Sequence, residues 1–231
     1  MPTVLITGSS RGIGLALARE YAGRDWCVLA TCRVPARASA LQELAERRKN
    51  VSVHALDVTD AASITALAEA LRGTVIDVLY NNAGIGGRHI VFGAIDYSRW
   101  QEIMATNLLG PLRMAEAFVE HVSASRQKKI MSISSSLGCI ARTTGGNMLY
   151  RTSKSALNMA MRSLAKDVAG RGITVGILSP GVVDTDFTAD ADMPFKIPAD
   201  VSARGLADIC DRYTLARSGS FMRYNGEELP W

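Results

Sequence analysis

The sequence predicts an α/β fold built on a doubly wound parallel β-sheet with helices on both faces. In roughly the first 80 residues, four apolar runs alternate with segments of helical periodicity. The first of these runs passes through a glycine-rich turn directly into a helix. The run Val75–Tyr80 is continuously apolar except for one acid, which is typical of a strand buried on both faces. The 231 residues contain no repeat or linker, so we predict a single domain over residues 1–231.

The first strand, turn and helix read VLITGSSRGIG from Val4 to Gly14. Gly8, Gly12 and Gly14 separate an apolar run that ends in Thr7 from an apolar helical pattern. Free backbone N–H groups and the positive end of the helix dipole converge at such a turn, which favours phosphate binding. The spacing is GxxxGxG, whereas the common dinucleotide fingerprint is GxGxxG, and a purely structural turn is the alternative.

The remaining elements alternate in the same way along the chain. The later predicted strands are Trp26–Thr31, Val51–Leu56, Val75–Tyr80, Lys129–Ser134, Ile173–Leu178 and Ser220–Arg223. The predicted helices are one that ends near Arg24, followed by Ala36–Lys49, Ala61–Leu71, Tyr97–Ser123, Leu149–Ala169 and Val201–Tyr213.

Three details refine these elements. Thr59 or Asp60 is the expected N-cap of the helix that begins at residue 61. Pro111 falls inside the long fourth helix, where it either kinks the helix or is accommodated. The segment Asp184–Pro198 is expected to form a loop or short helix over the carboxyl edge of the sheet, with apolar anchors at Met193, Phe195 and Ile197.

Composition and charge argue against several classes of protein. The formal charge of +4 is small and the arginines are scattered, so we predict no nucleic-acid partner. The first strand begins too early for a signal peptide, and no run approaches the roughly 18 apolar residues of a membrane span. We therefore expect a cytoplasmic protein with reduced thiols and no metal site. The spacing of the cysteines and histidines fits no ligand set: Cys27, Cys32, Cys139, Cys210, His54, His89 and His121.

The end of the second strand bears on the choice of nucleotide. In dinucleotide folds an acid at this position binds the ribose of NAD, whereas an arginine accommodates the 2′-phosphate of NADP. No Asp or Glu occurs between Trp26 and Gln42, and Arg33 stands where the acid would be. Arg11, in the glycine turn, is a second cation within reach. These residues favour NADP, with NAD possible, and solvated surface arginines are the alternative interpretation.

The carboxyl ends of parallel strands meet at one edge of a sheet, where ligands bind. We predict that the following groups lie along that edge: the glycine turn, Arg33, Asp57, Asn82–Gly84, Ser135 and Pro180–Gly181. This arrangement predicts a nucleotide and its substrate laid end to end.

The sequence YRTSK places Tyr150 and Lys154 four residues apart, on one face of a helix. A phenol has a pKa of about 10 and needs a stabilised anion to exchange protons near neutrality. An adjacent ammonium group lowers the phenol's pKa, so the pair is suited to general acid–base catalysis. A packed tyrosine beside a surface lysine is the alternative, and the serine strand end together with the glycine turn favours catalysis.

Taken together, these motifs resemble those of the short-chain dehydrogenase/reductase family over essentially the whole chain. The motifs in order are TGSSRGIG, NNAG, a helix with Asn107, the serine strand end, YRTSK, and SPG with Thr185. The resemblance implies a Rossmann-like sheet of about seven strands and nicotinamide-dependent carbonyl or alcohol chemistry. The stretch GGNMLYRTSKSALNMA and the terminal Asn225, Gly226 and LPW resemble the branch of C-factor-like proteins and Sniffer-type carbonyl reductases.

The resemblance also implies roles for individual residues. Tyr150 would be the general acid in reduction and the general base in oxidation, and Lys154 would lower its pKa and hold the nicotinamide ribose. Ser135 would hydrogen-bond the substrate oxygen, and Asn107 would hold a water molecule that links Lys154 to solvent. Ser134, Ser135 and Ser136 compete for the serine role, and Ser135 is preferred because the family's serine lies three residues before the glycine that matches Gly138.

The implied nucleotide contacts span the same edge. Asp57 and Val58 would flank the adenine, Asn82–Gly84 the adjoining ribose, and Val183 and Thr185 the carboxamide. The full set of implied nucleotide-binding residues is Gly8, Ser10, Arg11, Gly12, Ile13, Gly14, Arg33, Asp57, Val58, Asn82, Ala83, Gly84, Tyr150, Lys154, Pro180, Gly181, Val183 and Thr185.

The leading hypothesis is an NADPH-dependent reductase of a small carbonyl compound such as an aldehyde, ketone or quinone. The alternative is a nucleotide-binding signalling or regulatory protein with incidental or no catalysis. A sugar-nucleotide epimerase would need a larger substrate-binding region after Gly181 than the sequence provides. The helices Tyr97–Ser123 and Leu149–Ala169 resemble the family's dimer faces, so a homo-oligomer, either a dimer or a tetramer, is expected. The alternative is that their small and apolar residues pack only within the chain.

Overall fold

The computed structural model describes residues 1–86, 92–189 and 195–231, so His89 and Met193 lie outside the described residues. Its centre is a seven-stranded sheet with the order β3-β2-β1-β4-β5-β6-β7, in which each neighbouring pair is parallel. The strands are β1 Thr3–Ile6, β2 Cys27–Cys32, β3 Val51–Ala55, β4 Val78–Asn81, β5 Lys129–Ile133, β6 Thr174–Ser179 and β7 Phe221–Arg223.

Helices cover both faces of this sheet, as predicted. They are α1 Gly12–Gly23, α2 Ser39–Arg47, α3 Ala61–Ala70, α4 Tyr97–Met104, α5 Gly110–Ser123, α6 Met148–Asp167 and α7 Ala199–Arg212. Successive strand residues point to opposite faces, so Val4 and Ile6 join one core with α1, α2 and α7. Leu5 joins the other core with α3, α5 and α6. The predicted doubly wound α/β fold is therefore confirmed.

Most element boundaries differ from the predictions by at most two residues, but α2 and β4 each begin three residues later than predicted. The strand predicted over Val75–Tyr80 begins at Val78, and Val75 is 43% exposed. Asp77, just before the strand, accepts hydrogen bonds from the Thr3 amide at 2.7 Å and the Ser125 hydroxyl at 2.6 Å. Asp77 therefore lies just before β4 and fixes the start of the strand through these two hydrogen bonds.

The prediction of one continuous helix over Tyr97–Ser123 is wrong in the middle of that range. A π-helical segment, Ala105–Leu109, separates α4 from α5 and carries Asn107. Pro111 falls in the first turn of α5, where its missing N–H and fixed φ are tolerated, so it is accommodated. Asp60 is confirmed as the N-cap of α3, because its carboxylate accepts a hydrogen bond from the Ala62 amide at 2.9 Å.

The segment after β6 forms a short 3₁₀ turn, Asp186–Thr188, beside the carboxyl edge of the sheet. Val183 pairs with Ile197 in an isolated parallel bridge that ties the two ends of the segment together. Phe195 was expected to anchor the segment, but it is 84% exposed, so that prediction is wrong. The bridge at Val183 restrains the segment instead.

Candidate active site

A groove of about 1760 Å³ runs along the carboxyl ends of the strands, where the order of the sheet reverses between β1 and β4. Except for Asn107, each predicted site residue lines it. They are Gly8, Ser10, Arg11, Gly12, Ile13, Gly14, Arg33, Asp57, Val58, Asn82, Ala83, Gly84, Ser135, Tyr150, Lys154, Pro180, Gly181, Val183 and Thr185. The sheet thus brings together residues that are far apart in the sequence.

The glycine turn forms one end of this groove. Gly8 has a left-handed backbone with φ of 70°, and a Cβ atom there would lie 2.8 Å from the Ala83 Cα. A Cβ atom at Gly14 would overlap the Gly8 carbonyl oxygen, so this glycine lets α1 pack closely against the turn. Arg11, the N-cap of α1, makes no side-chain capping bond, which leaves the first-turn amides of α1 without a side-chain cap.

The side chain of Asn82 holds the turn in place from the end of β4. Its amide nitrogen donates hydrogen bonds to the carbonyl oxygens of Thr7 at 2.8 Å and Gly8 at 3.1 Å. In return the Thr7 hydroxyl accepts hydrogen bonds from the backbone amides of Asn82 at 2.9 Å and Ala83 at 3.0 Å. Turn and strand end therefore form one rigid unit.

The cations predicted for the nucleotide are exposed at this end of the groove. Arg33 is exposed and close enough to Asp57 to contribute to a lower pKa of that carboxyl. Burial opposes this shift, but the hydrogen bonds from the hydroxyl and amide of Thr59 and the charge of Arg33 outweigh it. Arg11 lies 3.7 Å from Asp186 in an ion pair in which both side chains are more than three-quarters exposed. Such a pair contributes little to stability, so Arg11 can exchange partners at small cost.

Tyr150 and Ser135 meet at the other end of the groove. Burial raises the pKa of Tyr150 to about 12, and the nearby Ser135 side chain opposes this shift only in part. The three competing serines have different environments. Ser134 is buried and donates its hydroxyl hydrogen to Asn158, while Ser136 uses its backbone amide to bind the Ser179 hydroxyl at 3.1 Å. Of the three side chains, the one close enough to Tyr150 to affect its pKa is that of Ser135.

Lys154 lies on the same face of α6 as Tyr150, with its Nζ atom 5.7 Å from the centroid of the phenol ring. The amine is buried and donates a hydrogen bond to the Ile133 carbonyl oxygen at 2.8 Å. Burial lowers the pKa of Lys154 to about 8. We expected Lys154 to lower the pKa of Tyr150, but that pKa is raised, because desolvation of the phenol dominates.

Asn107 lies beneath the groove and organises its floor. Its side-chain oxygen accepts a hydrogen bond from the Ile85 amide at 2.9 Å, and its nitrogen donates to the Ile85 carbonyl oxygen at 3.0 Å. The same nitrogen donates to the Ser153 hydroxyl at 3.0 Å, which in turn donates to the Tyr150 carbonyl oxygen at 2.8 Å. Asn107 thus connects the loop after β4 to the helix that carries Tyr150.

Replacing Asn107 by Ala should lower the free energy of unfolding by about 2–3 kcal/mol. The substitution leaves the partly buried amide and carbonyl of Ile85 without these partners, and each such group costs roughly 1 kcal/mol, the low end of the range for buried groups. Ser153→Ala removes one hydroxyl from the same network and should cost only about 1 kcal/mol. Urea denaturation of both variants measures the difference, and equal losses would contradict this role of Asn107.

Two residues at the site were missed by the sequence analysis. Asn158 accepts from Ser134 and donates to the Gly138 carbonyl oxygen at 3.3 Å, which fixes α6 against the end of β5. The Phe187 ring packs against the Tyr150 ring, with centroids 5.6 Å apart, and lies so close to Gly86 that a Cβ atom there would be 3.1 Å from it. The position of Asn158, eight residues after Tyr150 on one helix, was a usable signal, but Phe187 lies in a loop without periodicity.

Other polar groups of the described chain make structural contacts. His54 is hydrogen-bonded to the Ser52 hydroxyl at 2.9 Å, and His121 to the Thr74 carbonyl oxygen at 2.9 Å. Within residues 1–86, 92–189 and 195–231, no group of three His, Cys, Asp or Glu side chains has the geometry of a metal site. Over the same residues, none of the helices combines the length and apolar character that crossing a bilayer requires.

The parallel sheet and the glycine turn define a Rossmann-like α/β fold with a ligand groove at the switch point of the sheet. Residues 2–194 match the family model of short chain dehydrogenase. The chain is 37% identical to C-signal of Myxococcus xanthus over 158 residues, which cover 68% of this chain and 93% of that protein. It therefore belongs to the short-chain dehydrogenase/reductase family of oxidoreductases.

Solved structures agree with this assignment along the full chain. The NADPH-bound carbonyl reductase from chicken fatty liver superposes with a TM-score of 0.93 and 32% identity, covering 100% of this chain and 99% of that one. The carbonyl reductase Sniffer of D. melanogaster gives a TM-score of 0.90 and 28% identity, with 100% of both chains covered. These likenesses, together with C-signal, confirm the predicted branch of the family.

Proposed function

We propose that this chain is an NADPH-dependent carbonyl reductase in which Tyr150 donates a proton to the substrate oxygen. The observation that carries the proposal is the Tyr150 hydroxyl, which lies beside the Ser135 side chain at the end of a groove that begins at the N-terminus of α1. Lys154 lies on the same helix face, so an acid, a second donor and a cation converge. The likeness to two carbonyl reductases supports the same reaction class.

The residues of the groove fit a dinucleotide. A Cβ atom at Gly8 would collide with Ala83 and one at Gly14 with the Gly8 carbonyl oxygen, so both glycines keep the turn close to the start of α1. The first turn of α1 has no side-chain cap, as phosphate binding requires. Arg33 stands at the end of β2 and is exposed to the groove, which favours the 2′-phosphate of NADP. The chicken relative was solved with NADPH bound. Asp57 and Val58 would contact the adenine, and Val183 and Thr185 the carboxamide.

The side chains at the Tyr150 end of the groove would each have a separate role in the reduction. Bound NADPH supplies the hydride that reaches the carbonyl carbon. Ser135 and Tyr150 donate hydrogen bonds to the carbonyl oxygen, which holds it in place and polarises it. Tyr150 transfers its proton as negative charge develops on that oxygen, and the ammonium group of Lys154 stabilises the phenolate that remains.

The pKa of Tyr150 favours the direction of reduction. A phenol with a pKa of about 12 keeps its proton throughout the neutral range, so it is ready to act as an acid. Oxidation of an alcohol would need the phenolate as a base, and this pKa makes the phenolate scarce at pH 7. We therefore propose that Tyr150 is present as the acid that carbonyl reduction needs near neutrality.

A panel of aldehydes, ketones, diketones and quinones incubated with the protein and NADPH tests the proposed function. A reductase consumes NADPH in proportion to the carbonyl added. The likeness to C-signal favours a second candidate, a nucleotide-binding signalling protein, which would bind NADPH without consuming it. Binding without turnover across the panel would overturn the reductase proposal.

Changing Arg33 to Asp should shift the nucleotide preference from NADPH towards NADH. A charged hydrogen bond to a phosphate is worth about 1.5–3 kcal/mol, so the NADPH to NADH ratio of kcat/KM should fall about 10- to 100-fold. Arg37→Asp is the matched control, because Arg37 is exposed on the following 3₁₀ turn and does not line the groove. If both variants have the same NADPH to NADH ratio of kcat/KM, Arg33 does not bind the 2′-phosphate.

A further inference from the structure

Asn147 lines the groove three residues before Tyr150 and has an unusual backbone. Its φ of 50° and ψ of 34° are left-handed, and it follows Gly145 and Gly146, whose φ angles are 78° and 66°. A left-handed residue other than glycine costs about 1–2 kcal/mol, and asparagine tolerates the conformation better than most. The chain therefore holds this side chain in a costly conformation at the edge of the proposed site.

The amide group of Asn147 is also incompletely paired. Asparagine at a helix N-cap normally accepts a hydrogen bond from the first helical turn, yet Asn147 makes no such bond to α6. Its side-chain oxygen is buried and has no hydrogen-bond partner among the described residues. An unpaired buried acceptor costs roughly 1–3 kcal/mol, a second cost at the same residue. Strained groups of this kind cluster at functional sites.

The chemistry of this oxygen specifies its partner. An amide oxygen is an acceptor only, so the complementary group must carry an O–H or N–H. Ser135 and Tyr150 already provide the donors for the carbonyl oxygen of a substrate. Asn147 is the N-cap of α6 and Tyr150 is the third residue of that helix, so their side chains are neighbours. The partner of Asn147 is therefore expected to be a donor on the substrate close to the carbonyl group that Tyr150 would bind. The Phe187 ring against Tyr150 gives the same end of the groove an apolar wall.

We propose that Asn147 is a specificity residue that accepts a hydrogen bond from a hydroxyl group next to the reacting carbonyl. The substrate class is thus an α-hydroxy ketone or α-hydroxy aldehyde with an apolar or aromatic group that packs on Phe187. This inference rests on the proposed reductase function and adds a substrate class to it. Among carbonyl compounds of equal shape, the hydroxylated one is preferred.

The matched pair 2-hydroxyacetophenone and propiophenone tests this preference, because the two ketones differ by a hydroxyl in place of a methyl group. Asn147→Gly keeps the left-handed backbone and removes the amide. It should lower kcat/KM for 2-hydroxyacetophenone about tenfold and change that for propiophenone less than about twofold. Asn147→Asp keeps an acceptor oxygen at the same place and should retain the preference.

Two results would overturn the inference. If Asn147→Gly lowers kcat/KM equally for both ketones, the residue only shapes the backbone of the loop. If Asn147→Asp loses the preference as fully as Asn147→Gly, the amide oxygen is not the recognising atom. The Kd for NADPH, measured by fluorescence titration of each variant, should stay at its wild-type value because the amide acts on the substrate.

A binding experiment separates this inference from the proposed function. The Tyr150→Phe protein with NADPH does not need to turn over, so equilibrium titration gives the Kd of each ketone directly. Adding Asn147→Gly to this protein should weaken 2-hydroxyacetophenone about tenfold and leave propiophenone unchanged. Failure of the wild-type protein to consume NADPH would overturn the reductase function alone, whereas an unchanged ratio of Kd values would overturn the role of Asn147.

Discussion

Tyr150→Phe should lower kcat for carbonyl reduction by about 10²- to 10⁴-fold while the Kd for NADPH stays within about twofold of wild type. The substitution removes the proton donor and keeps the ring that packs against Phe187. Ser135 would still polarise the carbonyl oxygen, which explains a small residual rate. Steady-state kinetics and fluorescence titration with NADPH measure the two effects separately.

The matched control is Tyr97→Phe, which removes a hydroxyl group from a tyrosine that is 66% exposed on α4. Its kcat should remain at the wild-type value because Tyr97 does not line the groove. A Tyr150→Phe protein that keeps more than about a tenth of the wild-type kcat would show that another group supplies the proton.

Lys154→Met should lower kcat/KM about 10²- to 10³-fold and also weaken NADPH binding. Methionine fills a similar volume but removes the ammonium that lies 5.7 Å from the Tyr150 ring and the donor to the Ile133 carbonyl oxygen. The negative charge left on Tyr150 after proton transfer then has no cation beside it. The control is Lys166→Met, because Lys166 is exposed on the same helix. This variant should keep the wild-type kcat/KM and the wild-type Kd for NADPH.

The pH profile provides an independent readout of Lys154. Its pKa of about 8 means that the ammonium loses its proton as the pH rises through 8. Wild-type kcat/KM should therefore fall above pH 8, while Tyr150, with a pKa of about 12, stays protonated in that range. The Met variant should lack this fall. A profile that is the same in both proteins would remove Lys154 from the proton-transfer step.

Much of this site could be predicted because its positions follow from strand ends. Where an apolar run ends in glycine, asparagine or serine, the sequence marks the carboxyl end of a parallel strand. Gly8, Asn82, Ser135 and Gly181 stand at such positions, and all four line the groove. A helical spacing of four likewise predicts that Tyr150 and Lys154 share a face, which the distance of 5.7 Å confirms.

Other features depend on tertiary packing, which periodicity does not encode. The π-helical segment at Asn107 follows from the hydrogen bonds this residue makes to Ile85 and Ser153, neither of which a helical pattern marks. The direction of the Tyr150 pKa was predicted wrongly because spacing alone gives the distance to a charge and not the extent of desolvation. Phe187 reaches Tyr150 from a loop whose course depends on the Val183–Ile197 bridge.

The order of the strands has a consequence for how the molecule is made. β1 is synthesised before β4, yet it lies at the centre of the sheet and needs β4, whose residues Val78–Tyr80 pair with Val4–Ile6, to complete its ladder. Until about 75 more residues have left the ribosome, one edge of this apolar strand has no partner to bind. Such long-range pairing slows folding, and the nascent chain is then open to aggregation or to capture by chaperones.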